Sequence, residues 1–236
     1  MRHSDFRKGN YMKLARRLFV LLPALVLLAV AARPAAAQDY TVAKATDAAP
    51  AGVSAAVSAV LGGDVLKVTG PGGTLCELWL RKSVPAAATP DTELGVTFGQ
   101  IPTGALIAVI QFPADVIDYR QQKIKAGVYT LRYALIPTDG NHMGQAPQRD
   151  FLLASPVAAD TDPATLTFDQ TVAVSAKTTG TKHPSVWSLG PPDNAALPAM
   201  LHDNDANAWD LEFGLPVGTA APTPVALVIV GHSSGG

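Results

Sequence analysis

Residues 128–136 read Val-Tyr-Thr-Leu-Arg-Tyr-Ala-Leu-Ile, and no other stretch restricts the fold as tightly. Tyr129, Leu131, Tyr133 and Leu135 fall on one face, and Val128, Thr130, Arg132 and Ala134 on the other. A period of two built from β-branched and aromatic side chains is that of a strand, because successive residues of a pleated chain point to opposite sides. Lys125-Ala126-Gly127 leads into this strand, and the polar, Gly-containing loop 137–147 leads out of it.

Similar signals recur along the chain. Residues 64–69 and 74–80 flank Gly70-Pro71-Gly72-Gly73, which predicts a hairpin with a four-residue loop. The apolar run 104–112 has the length of a buried strand. Residues 149–154 pair with 128–136 across the long loop, and further strands are predicted at 40–45, 185–189 and 224–230. In 208–214, Trp209, Leu211 and Phe213 share one face and Asp210 and Glu212 the other, the pattern of a half-exposed strand. One helix is predicted at 165–177, with Asp162-Pro163 as its start and Gly180 as its stop. Residues 191–205 read as a loop or short helix. Many short strands separated by Gly/Pro turns define an all-β fold, a single antiparallel β-sandwich or jelly roll with one short helix.

The N-terminus has a different composition. Arg2, Arg7, Lys8, Lys13, Arg16 and Arg17 precede a fifteen-residue apolar run, 18–32, which ends in Pro34-Ala35-Ala36-Ala37-Gln38. A basic segment, a short apolar core and an Ala-x-Ala site make a secretory signal, predicted to be cleaved after Ala37; Met12 would open a more ordinary signal than Met1. The run falls short of the ~20 residues a spanning helix requires, so no stable membrane span is expected after cleavage. The domains are then 1–37, the signal peptide, and 38–236, the β-domain, in a periplasmic or extracellular location. The segment 38–236 carries 11 Lys and Arg against 18 Asp and Glu, a net −7, which excludes nucleic acid as an expected partner. The lone cysteine, Cys76, alternates with Leu78 and Leu80 and reads as a small core residue.

Three segments carry a resemblance. Ile124-Lys125-Ala126-Gly127-Val128-Tyr129-Thr130-Leu131, Val186-Trp187-Ser188-Leu189 and Trp209-Asp210-Leu211-Glu212-Phe213 resemble a group of uncharacterised exported bacterial β-sandwich proteins with an "AG-x-Y-x-L" strand. The similarity covers about residues 95–230 and implies a β-sandwich without implying an activity.

Candidate chemistry is sparse. Gly231-His232-Ser233-Ser234-Gly235 matches G-x-S-x-G after a strand, as in the nucleophile elbow of esterases, but the sequence supplies no following helix, acid or histidine. Segment 38–236 has two methionines, and each sits beside a histidine: Met143 next to His142, and Met200 two residues before His202. Thioether and imidazole together suit Cu(I), so His142, Met143, Met200 and His202 form a candidate copper site on two loops. His202-Asp203-Asn204-Asp205 with Asp193 and Asn194 offers oxygens to Ca²⁺ but lacks the spaced ligand pattern of a calcium loop. Asp210 and Glu212 share a strand face, as a glycosidase carboxylate pair must, though the solvent side of an edge strand explains them as well. Trp79 is the best candidate for an exposed, sugar-stacking aromatic, and Trp209 reads as core. The expected function is an exported cell-envelope binding or interaction module for an unknown protein or glycan. A copper-binding protein and a secreted hydrolase are the alternatives.

Overall fold

The alternating run at the centre of the sequence becomes the middle of a ten-stranded sheet. The computed structural model describes residues 39–138, 148–194 and 196–233. In chain order the elements are β1 (Thr41–Thr46), α1 (Ala55–Val60), β2 (Leu61–Gly70), β3 (Gly73–Arg81), β4 (Leu106–Phe112), β5 (Val116–Ile117) and β6 (Lys123–Ile124). There follow β7 (Gly127–Leu135), β8 (Asp150–Pro156), α2 (Phe168–Thr179), β9 (Ser185–Gly190), β10 (Ala199–Asp203), β11 (Ala208–Leu215) and β12 (Thr223–Val230). The sheet order is β1-β2-β3-β4-β7-β8-β9-β12-β11-β10, antiparallel throughout, with β5 and β6 paired separately. The two edge strands, β1 and β10, approach each other, so the sheet curls almost shut into a barrel-like shape. The all-β antiparallel expectation holds.

Period-two patterning fixes the interior. Tyr129, Leu131 and Tyr133 of β7 face inward with Leu78 and Cys76 of β3, Ile110 and Phe112 of β4, Trp187 of β9, and Leu211 and Phe213 of β11. Phe112 stacks on Trp187 with ring centroids 5.2 Å apart. Cys76 is fully buried, as expected of a small core residue, and burial pushes its thiol up.

The outer face of β2–β4 holds a second apolar cluster. Trp79, expected to be exposed, is only 2% exposed and packs with Val57, Leu61, Val65, Leu106 and Val109. Its indole N–H donates to the Asp47 carbonyl at 3.2 Å. The cover over it is α1, whose six residues are too few to display a helical period in the sequence. The β2–β3 turn is tighter than predicted: Gly70 pairs with Gly73, leaving only Pro71-Gly72 as the loop.

The helix falls near its expected place but starts differently. The Thr167 hydroxyl accepts from Gln170 N at 3.2 Å, and Gln170 Oε1 accepts from Thr167 N at 2.9 Å, a reciprocal capping box. Asp162 is therefore not the cap; its carboxylate takes Ala164 N in a tight turn and its carbonyl serves Arg132. Gly180 ends the helix as predicted, in a left-handed conformation with φ +67°. Residues 191–205, expected to form a loop or helix, contain strand β10, which pairs with β11 along Ala199–Asp203.

On the outer face of β7, Arg132 is completely buried. Its Nε and Nη2 donate to the two Asp160 oxygens at 2.7 and 2.8 Å. The remaining N–H groups donate to the carbonyls of Gly104, Ala164 and Asp162. All five guanidinium N–H groups are used, so this one side chain ties the segment before α2 to the sheet. Gly104 adopts φ +85°, and a Cβ there would collide with the backbone of Leu166. Removing one member of a fully satisfied buried pair strands the other charge. Asp160→Ala is predicted to lose about 3–5 kcal/mol of stability, read from the urea midpoint at unchanged slope. A loss below about 1 kcal/mol would show the pair to be dispensable.

Candidate binding pocket

An apolar concavity among the described residues lies outside the barrel, and a single aspartate assembles its wall. Asp118 follows β5 and is fully buried. Its Oδ1 accepts from Arg120 N at 3.0 Å and Gln122 N at 2.8 Å, closing a turn in which Gln121 takes φ +63°. Its Oδ2 accepts from Gln122 Nε2 at 2.9 Å and Val186 N at 3.0 Å, clamping that turn onto β9. Gln122 Nε2 also donates to the Pro184 carbonyl, and Tyr119 N to the Val186 carbonyl. Burial pushes the Asp118 carboxyl up, opposed by these four N–H donors.

The turn, the 182–184 connection and α2 enclose part of the outer sheet face. Ala134 of β7, Phe151 and Leu153 of β8, and Val186 of β9 make the floor; Phe168 and Val172 of α2 make one wall. Tyr119 makes the opposite wall, edge-on to Phe151 at 6.0 Å. The helix seats closely because its sheet-facing side chains are short: the Ser175 and Thr178 hydroxyls both donate to the Ala154 carbonyl, at 2.7 and 2.8 Å. The cavity measures about 340 Å³, within the size range of small-molecule sites. Arg120, Lys182 and His183 stand at its rim, and among the described residues no carboxylate lines it. The Arg120 guanidinium lies 3.5 Å from His183 Nδ1.

A second cavity, about 530 Å³, opens at the barrel mouth between the sheet edges, where Lys44, Leu66, Leu80, Phe213 and Pro222 meet. Its other cations serve the fold: Arg81 donates to the Pro163 carbonyl and Lys82 to the Ala59 carbonyl.

The sequence-predicted site residues distribute as follows. His142 and Met143 lie outside the described residues. Met200 and His202 are not on a loop but in β10, where pairing with β11 fixes them opposite Leu211 and Trp209. Met200 packs against the barrel core, and the His202 ring stacks on Trp209 at 4.5 Å, with Tyr40 against the other part of the indole at 5.3 Å. Trp209 is thus half-buried at the seam rather than deep in the core. Among the described residues, no group of three or more His, Cys, Asp or Glu side chains could hold a metal. That covers the suggested calcium oxygens: Asp203 instead accepts Asp205 N and Ala206 N in its own turn.

Asp210 and Glu212 do share a face, but β11 lies between β12 and β10 and is no edge strand. Glu212 is fully buried and accepts from Asp193 N, Asn194 N and Asn194 Nδ2, holding the loop after β9. Neither acid lines the pocket. Ser233 does line it; its N–H donates to the Tyr119 carbonyl. The adjacent His232 is exposed, and its Nδ1 faces the Ser233 carbonyl oxygen rather than the hydroxyl. The pocket was invisible in the sequence because its lining is spread over segments from Tyr119 to Ser233, with no local motif.

Comparison with protein-family models, with curated proteins and with solved structures gives no match to this chain.

Asp210 gives a pH signature. Burial, then the neighbouring carboxylates of Asp203, Glu212 and Asp193, raises its carboxyl to about 6, and its Oδ1 is buried without a hydrogen-bond partner. The folded state binds the proton more tightly than the unfolded chain, so this group's contribution is full below pH ~4 and is lost as pH rises through about 6. Asp210→Asn is predicted to raise stability at pH 7 by about 1 kcal/mol, allowing for screening of a partly exposed group, and to change it little at pH 4. Thermal unfolding at the two pH values checks this; an equal shift at both would contradict it.

Proposed function

We propose that the chain is an exported binding module whose ligand site is the pocket between α2 and the outer face of β7–β9. The observation that carries this reading is a concave, apolar, pre-built cavity on a rigid sheet. Phe151 and Leu153 are themselves buried, at 5% and 4% exposed, so the cavity is a crevice between packed elements rather than an open apolar face. The basic, apolar and Ala-x-Ala features of residues 1–37 support export to the periplasm or beyond.

A hydrolase reading draws on one observation, that Ser233 and His183 line the same pocket. Two features weigh against it. No carboxylate among the described residues orients His183, and the group facing its Nδ1 is the Arg120 cation. An Nδ1 that faces a cation instead of an orienting carboxylate is not the arrangement of a catalytic triad. A binding role needs neither a base nor an orienting acid.

The neutral apolar fluorophore N-phenyl-naphthylamine tests the site. It is predicted to bind at one site per chain with saturable enhancement, and Val172→Trp, which fills the cavity from the helix wall, is predicted to weaken it at least about tenfold while near-ultraviolet circular dichroism is retained. Undiminished binding to Val172→Trp would move the site elsewhere.

A further inference from the structure

The pocket has an apolar body and a cationic rim, and that combination specifies a ligand class. We infer that it takes an amphipathic carboxylate, an aliphatic or aromatic acid whose body lies against Phe151, Leu153 and Val172 and whose head pairs with Arg120 and Lys182. This inference rests on the pocket being the ligand site.

Charge complementarity carries it. Segment 38–236 is acidic, with 11 basic against 18 acidic residues, and acids still outnumber bases when the buried Asp118, Asp150, Asp160, Glu212 and Arg132 are set aside. Around this cavity the balance inverts among the described residues: Arg120, Lys182 and His183 converge and no described Asp or Glu contributes to the lining. The nearest acid in sequence, Asp118, is fully buried and already accepts four N–H groups. Among the described residues neither Arg120 nor Lys182 forms an ion pair, in contrast to Lys67, Lys123, Lys125, Arg132 and Arg149, which all do. The Arg120 guanidinium has only a long approach to His183 Nδ1, which leaves most of its planar fork of donors open to a carboxylate. The backbone of Arg120 is held by Asp118, which anchors the base of its side chain beside the cavity. A neutral ligand would leave this rim unused, and a cationic one would be repelled by it.

Decanoate and decanol, both below their aggregation concentrations, test the inference by displacing N-phenyl-naphthylamine. Decanoate is predicted to bind roughly tenfold or more tightly than decanol. In the R120Q/K182Q variant its affinity is predicted to fall to that of decanol, with decanol unaffected. Equal affinities in the unaltered protein would overturn the inference while leaving the pocket reading intact. So would a carboxylate preference that survives in R120Q/K182Q, since the head would then be held elsewhere. Co-sedimentation with anionic phospholipid vesicles, without any response to decanoate, would overturn it by assigning the rim to a membrane surface. Failure of the fluorophore itself to bind would bring down the pocket reading, and this inference with it.

Discussion

Buried carboxylates that accept backbone N–H groups fasten the loops of this protein to its sheet. Asp118 holds the turn after β5 to β9, Asp150 holds Thr97 and Phe98 together with the Tyr133 hydroxyl, and Glu212 holds residues 193–194. Asp160 does the same indirectly through Arg132. A loop crossing a sheet must satisfy its own amides, and one carboxylate can serve several at once. The chain has a single cysteine and so no internal disulfide to share this work. The arrangement also explains an acidic composition in a compact domain: several of the acids are structural acceptors rather than surface charge.

The pocket is a consequence of that scheme. Helix α2, capped by Thr167 and Gln170 and stopped at Gly180, lies over β8 through hydroxyl contacts close to the strand backbone. It stops short of the end of the outer face near Phe151, and the Asp118 turn walls the crevice left there. The same aspartate therefore builds the wall and fixes the backbone that carries Arg120. Binding geometry placed on rigid, hydrogen-bonded segments loses little freedom when a ligand enters.

The strands were legible where the pattern is local: Tyr129, Leu131 and Tyr133 point inward as the alternation demands, and 106–112 stands out as an apolar run of strand length. The sheet closure was not legible, because β10 has no alternation strong enough to stand out between Pro191 and Asp205, and because pairing is a long-range property. Trp79 was misjudged for a related reason: its cover, α1, lies 19 to 24 residues away and is too short to register. Asp210 and Glu212 looked like solvent-facing residues because polar residues on one face ordinarily are; Glu212 is buried because a loop folds over it. Of the pocket's lining, Ser233 was singled out, but for a G-x-S-x-G match and not for a pocket. Its walls meet only after folding, and the acid that organises them, Asp118, sits in no motif.

The account turns on where a ligand sits, and amide chemical-shift mapping with decanoate reads this directly. The account predicts shifts clustered at residues 119–122 and 182–186, on Phe151 and Leu153, and on the first turns of α2, with β1 and β11 unmoved. Shifts centred instead on Lys44, Leu66, Phe213 and Pro222, at the mouth of the barrel, would contradict it and place recognition in the interior.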